Sequence, residues 1–210
     1  MNNPCIEFQN LKHTIKSNFL DYVYGGCEIN LSVAIDFSEG NGRMDDPDCL
    51  HYLKSGDAGN KYLQAIKSVV TIMQYYNTTK MIAAYGYGAQ VVQNHETSHC
   101  FALNGDIFNP SVPGIEGLMR AYERCLKAVN FGENARFSEV VDTVMKRAEG
   151  SRVNQENQQY HVLLMLTNGD IEDTREMIKT TVKASIQPMS IIIVVLNRDN
   201  FAKMKCLESS

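Results

Sequence analysis

Four short apolar runs with little polar alternation predict buried β-strands. They cover residues 31–37, 80–87, 160–167 and 189–196. Strands that are buried on both faces of a parallel sheet have this continuous apolar character, whereas strands with one face in water alternate. The first run ends in a polar, glycine-containing stretch, residues 38–42, which predicts a loop directly after the strand.

Between these strands, apolar residues recur at the spacing of amphipathic helices. The predicted helices lie within residues 62–76, 115–129, 137–148 and 172–182. Glu172 and Asp173 favour the start of the last helix. Strands that alternate with such helices indicate an α/β fold, namely a doubly wound, mostly parallel sheet flanked by helices on both faces, with one antiparallel edge strand.

Two further segments give weaker patterns. Residues 90–112 contain short apolar pieces that predict an edge hairpin followed by a loop, and residues 201–207 predict the opening of another helix.

The amino-acid composition argues against some classes of function. The 20 basic and 24 acidic residues give a net charge of −4 without a long run of either sign, which argues against a nucleic-acid-binding surface. The chain has no stretch of 18 apolar residues and a polar N-terminus, so we expect a cytoplasmic location. Its six cysteines include no CxxC pair, and we expect them to be free thiols that act as small apolar residues.

Polar side chains follow two of the predicted strands. Asp36 and Ser38 lie at the end of the first run, and Thr167, Asn168 and Asp170 lie at the end of the run at 160–167. In doubly wound sheets, ligands bind at the carboxyl ends of the strands. If the two strands are neighbours, these oxygens suit a Mg²⁺ ion that keeps several waters. The alternative is that Asp36 and Ser38 only cap the next segment.

A second motif points to a different chemistry. The segment from His95 through Glu96 to His99 matches the HExxH pattern, in which two histidines on one helix hold zinc and the glutamate acts as a base. The surrounding residues alternate like a strand, and histidines four residues apart in a strand are about 13 Å apart, too far to share one ion. An enzyme therefore remains the alternative function, either a zinc hydrolase at 95–99 or a Mg²⁺-dependent hydrolase at Asp36.

Several sequence blocks, in order, resemble the von Willebrand factor A-type domain of the copine family. The blocks are residues 19–22 with 25–26, 33–37, 84–89, 109–111 with 114–117, 160–164 and 188–194. The resemblance implies a protein-interaction module that recruits target proteins and is not an enzyme. Copines join such a domain to two calcium-dependent phospholipid-binding modules, so the resemblance implies plasma-membrane recruitment only for a longer parent protein. It assigns residues 1–18 to the tail of a preceding domain or linker, and residues 19–210 to the A domain, shortened at its C-terminal end.

The metal site implied by the resemblance is altered at three positions. Asp36 and Ser38 match the A-domain pattern, but Gly40 replaces a hydroxyl residue, Ala135 replaces a threonine and Asn168 replaces an aspartate. Loss of one charge and two hydroxyls weakens a site for a hard cation.

We therefore expect a degenerate site that binds Mg²⁺ weakly or not at all. The expected partner-binding rim comprises Glu39, Asn41 and Asp170. No other cofactor is expected.

Overall fold

A computed structural model describes residues 19–53, 59–92, 96–151, 153–154, 156–200, 204 and 207. The strands are β1 (Glu28–Asp36), β2 (Met81–Tyr87), β3 (Ala89–Gln90), β4 (Phe101–Ala102), β5 (Ser111–Pro113), β6 (Asn130–Phe131), β7 (Gln159–Thr167) and β8 (Met189–Val195). The four long strands are the four that the apolar runs predict.

The four long strands form a parallel sheet in the order β2-β1-β7-β8. The short strands β4 and β5 both pair antiparallel with β2 and together cover its outer edge. β3 and β6 form a separate antiparallel pair beyond the carboxyl end of β2. The sheet is therefore doubly wound and mostly parallel with an antiparallel edge, which confirms the predicted fold class.

The helices are α1 (Phe19–Tyr24), α2 (Lys61–Ala65), α3 (Thr71–Met73), α4 (Gly114–Leu126), α5 (Ser138–Gly150) and α6 (Thr174–Ala184). A π-helical segment, Ile66–Val70, joins α2 to α3. This segment changes the predicted apolar stripe, because a π turn adds a residue and rotates everything that follows. Ile72 is consequently 63% exposed although its spacing predicts a buried position, whereas Val70 is fully buried.

The helices cover both faces of the sheet. On one face, the buried side chains of β1 and β7 pack with residues of α2 and α4, including Tyr62, Leu118 and Tyr122. On the other face, α5 and α6 contribute Val141, Val144 and Met177. Continuous burial of β1 and β7 explains why both strands have few polar positions.

The four cysteines among the described residues have the predicted state. Cys27, Cys49, Cys100 and Cys125 are free thiols. Most of the helix predicted at 201–207 lies outside the described residues. None of the helices within the described ranges has the length and apolar character needed to cross a membrane.

Candidate functional site at the carboxyl ends of β1 and β7

The parallel pairing of β1 with β7 brings the two polar strand ends together. Ile35 is opposite Leu166 in the register, so Asp36 and Thr167 are the next residues of adjacent strands. A third loop joins them because Ser38 forms a bridge with Gly132. The segments after β1, β6 and β7 therefore meet at one edge of the sheet.

Asp36 is the centre of this cluster and is fully buried. One carboxylate oxygen accepts hydrogen bonds from the backbone N–H and the hydroxyl of Ser38, at 2.9 and 2.7 Å. The other accepts from the Thr167 hydroxyl at 2.9 Å and from the Asn168 N–H at 3.3 Å. A carboxylate offers about four acceptor positions, so protein donors use all of them.

Burial raises the pKa of Asp36 above its ordinary value, and the four hydrogen bonds act in the opposite direction. Burial also raises the pKa values of the neighbouring Tyr62 and Tyr87, and the negative charge of Asp36 raises them further. The site therefore holds an acidic group in a dry environment among neutral hydrogen-bond donors.

Asn168 occupies the space between the first loop and the loop after β7. Its Oδ1 accepts a hydrogen bond from the Asp170 N–H at 2.7 Å, and this bond turns its Nδ2 toward the hydroxyl of Ser38, 3.5 Å away. Asn168 is fully buried. Its amide presents N–H donors, and not oxygen, to the centre of the site.

A cleft of about 230 Å³ opens above these buried groups. Ser38, Gly40, Glu133, Asn134, Ala135, Asp170, Ile171 and Glu172 line it. Ala135 thus lies at the site, as the resemblance implies, but it adds only a methyl group to the wall. The acidic residues Glu133 and Asp170 of this lining are exposed, as is Glu39, which lies between the lining residues Ser38 and Gly40 in the chain. We call these three residues the acidic rim.

Asn41 is a correction to the predicted rim. It is only 2% exposed, and its side chain donates to the carbonyl oxygens of Asp36 and Ser38 at 3.3 and 2.9 Å. Its Oδ1 accepts from the Tyr62 hydroxyl at 2.7 Å. Asn41 therefore supports the first loop from within and has no surface for a partner.

The donor set does not fit a resident Mg²⁺ ion. Asp36 gives all its acceptor positions to protein hydrogen bonds, Asn168 directs N–H groups inward, and neither Gly40 nor Ala135 supplies an oxygen-bearing side chain. Mg²⁺ needs oxygen ligands, including carboxylates, in a near-ideal octahedral arrangement. No group of three or more His, Cys, Asp or Glu residues within the described ranges is placed to hold a metal ion.

A buried polar network under the first loop is the feature that the sequence analysis missed. His51 is fully buried, with Nε2 2.7 Å from the carbonyl oxygen of Asp36 and Nδ1 2.8 Å from the Tyr122 hydroxyl. Because a carbonyl only accepts, Nε2 carries the proton and Nδ1 accepts from Tyr122. Asn60 donates to the same hydroxyl at 3.0 Å. A lone histidine in a polar loop gives no periodic signal that could have predicted this role.

Residues 96–99, the described part of the HExxH segment, do not form the helix that a zinc site requires. Glu96 and Thr97 have no regular structure, and Ser98 forms an antiparallel bridge with Ala89. Burial lowers the pKa of His99. His95 lies outside the described residues. The part of the motif that is described thus has the extended, hairpin-like conformation predicted from its surroundings.

The fold and the site together define a doubly wound α/β domain, consistent with the von Willebrand factor A-like fold, with a polar loop cluster at the carboxyl ends of its central strands. The family model named Copine matches residues 49–210. Nicotinic receptor-associated protein 1 from Caenorhabditis briggsae is 34% identical over 204 residues, which cover 97% of this chain and 32% of the relative. The chain belongs to the copine family. It spans about a third of the length of this relative.

Proposed function

We propose that this chain is a copine-like interaction module that recruits target proteins at the acidic rim, without a bridging metal ion and without catalysis. Family membership supports an interaction module in general. Binding without a metal ion is supported by the carboxylate of Asp36, whose acceptor positions are all occupied by four hydrogen-bond donors of the protein. A bridging cation would have to displace several of these bonds from a fully buried carboxylate.

The charge of the rim sets the chemistry of the target. Glu39, Glu133 and Asp170 are exposed around the cleft. Arg136, which follows the cleft residue Ala135, is paired with Glu172 at 3.0 Å. An acidic surface favours and orients a basic one. The target surface that docks here is therefore basic.

The relative supplies a specific candidate target. Its name associates it with a nicotinic receptor, and we extend that association to this chain. In the parent protein, calcium-dependent phospholipid-binding modules outside this chain would bring the domain from the cytoplasm to the plasma membrane. There it would hold the receptor or another target protein.

Binding of the purified chain to a detergent-solubilised nicotinic receptor tests this function. We expect equal affinity in Mg²⁺ and in EDTA, and a loss of at least about tenfold when Glu39, Glu133 and Asp170 are all changed to lysine. Glu149→Lys is the control charge change, because Glu149 lies in the last turn of α5 at the opposite end of the sheet, where its carboxylate accepts a hydrogen bond from Gln187 at 3.3 Å.

Two results would contradict the proposal. One is receptor binding that disappears in EDTA, since it would require a metal bridge. The other is hydrolysis of a generic phosphoester that is lost in Asp36→Asn, since it would make the site catalytic.

A further inference from the structure

Gly40 and Asn168 compete for the same volume at the site. A Cβ atom built on Gly40 would lie 2.5 Å from Nδ2 of Asn168 and 3.6 Å from its Cγ. Real Cβ atoms do not approach a nitrogen this closely, because the contact is well inside the van der Waals separation. Any side chain at position 40 therefore requires Asn168 to move.

Asn168 has little freedom to move. Its backbone N–H donates to Asp36, its Oδ1 accepts from the Asp170 N–H, and its carbonyl oxygen accepts from the Asn200 side chain at 3.1 Å. It is fully buried. Displacing its amide would leave buried polar atoms without partners, which is costly.

These contacts join three separate segments through one neutral residue. The side-chain amide of Asn168 connects Ser38, in the loop after β1, to the Asp170 N–H in its own loop. Its backbone N–H and carbonyl oxygen bond Asp36 and Asn200, the latter in the helical turn after β8. In an oxygen-ligand site, a cation between two loops would make such a connection. Here the amide lies in that space, and its Nδ2 faces the hydroxyl of Ser38 at 3.5 Å.

We infer that Asn168 is an internal clasp. Its side-chain amide takes the place of a cation, holds the loops in one conformation at any Mg²⁺ concentration, and requires glycine at position 40. The inference deepens the proposed function and rests on it, because a permanently clasped rim is what allows target binding without metal.

A double-mutant cycle on the chain alone tests the clasp. We expect Gly40→Ser to lower the thermal midpoint by at least about 4 °C in the parent chain, and to cause no added loss in an Asn168→Ala background, where the competing amide is absent. Gly150→Ser is the matched control, because a Cβ at Gly150 meets nothing within 4 Å and its φ is not positive. Additive effects of the two substitutions would overturn the clasp.

A second variant tests the connection to metal. Isothermal titration with MgCl₂ should show binding at least about tenfold tighter in Gly40→Ser/Ala135→Thr/Asn168→Asp than in the parent chain. Equal Mg²⁺ binding by the parent chain and a folded triple variant would overturn the inference. If the triple variant does not fold, the cycle of single and double variants decides alone.

Failure of the clasp remains distinguishable from failure of the proposed function. The cycle and the titration contain no target protein. Receptor binding in EDTA with the rim variants depends only on the interaction itself, so either result can fail while the other holds.

Discussion

The imidazole of His51 is joined to the end of β1, with its Nε2 2.7 Å from the carbonyl oxygen of Asp36. The ring is stacked between Phe37 and Tyr62, with centroid distances of 5.3 and 4.0 Å and interplanar angles of 5° in both pairs. One side chain therefore fixes the backbone of the site residue and fills the space between β1 and α2. The loop around Asp36 is built on this support.

Replacement of His51 should destabilise the domain in two separable ways. His51→Phe keeps a stacked ring but removes the 2.7 Å hydrogen bond to the Asp36 carbonyl oxygen, which then keeps only the longer bond from Asn41. We expect a loss of about 1–2 kcal/mol in the free energy of unfolding. His51→Ala also leaves a cavity, and we expect a loss of about 3–4 kcal/mol. Urea denaturation of both variants measures the difference. Parent-like stability in His51→Ala would show that the network does not support the loop.

The pH dependence of His51 has a defined sign. Burial lowers the pKa of His51 from its ordinary 6.5 to about 3 in the folded chain. Between pH 6.5 and pH 3 the unfolded chain binds a proton at His51 that the folded chain does not bind. The contribution of His51 to the free energy of unfolding is therefore fully present above pH 6.5 and falls as the pH is lowered toward 3. The decline from one such group approaches about 1.4 kcal/mol per pH unit.

Comparison with His51→Phe isolates this contribution, because all other histidines are common to both chains. The stability advantage of the parent chain over the variant should shrink between pH 6 and pH 4 in urea denaturation. An advantage that stays constant over this range would mean that His51 does not titrate on unfolding.

Replacement of Asp36 should show how strongly the four donors depend on a carboxylate. Asp36→Asn keeps one oxygen but turns an NH₂ group toward the Asn168 N–H, which at present donates to Asp36 at 3.3 Å. We expect a loss of about 1–3 kcal/mol, with a larger loss in Asp36→Ala because all four donors then lack an acceptor. Thermal unfolding in Mg²⁺ and in EDTA should give the same midpoints for each protein. A midpoint that rises with Mg²⁺ only in the parent chain would contradict a site formed by hydrogen bonds alone.

Most of the sheet could be predicted from the sequence because three of its four long strands are buried on both faces. The apolar runs at β1, β2 and β7 follow from that burial, whereas β8, at the edge of the sheet, is only partly buried. The position of Asp36 beside Asn168 followed from the pairing of parallel strands, which places strand ends at one edge. The roles of Asn41 and His51 could not be predicted, since both are polar residues of an irregular loop whose partners are distant in sequence.

The start of α6 illustrates the same limit. The acidic residues 172 and 173 predict a helix start, and α6 does begin at Thr174. However, Asp173 makes no side-chain cap on α6, and Glu172 pairs with Arg136. The local sequence pattern predicted the start of α6 correctly. The contacts of these two side chains are with distant parts of the chain, and such tertiary contacts produce no periodic pattern in the sequence.

Asp173 should stabilise α5 and not the helix that it precedes. Its two carboxylate oxygens accept from the backbone N–H groups of Phe137 and Ser138, both at 2.9 Å. Asp173→Ala removes a cap from two otherwise unpaired donors at the start of α5, and we expect a loss of about 1–2 kcal/mol in the free energy of unfolding. The rate of backbone hydrogen exchange should rise first at the beginning of α5.

Glu172→Ala is the matched control, because its ion pair with Arg136 is half exposed and should contribute less than about 1 kcal/mol. Equal losses in the two variants would show that Asp173 acts as an ordinary surface carboxylate.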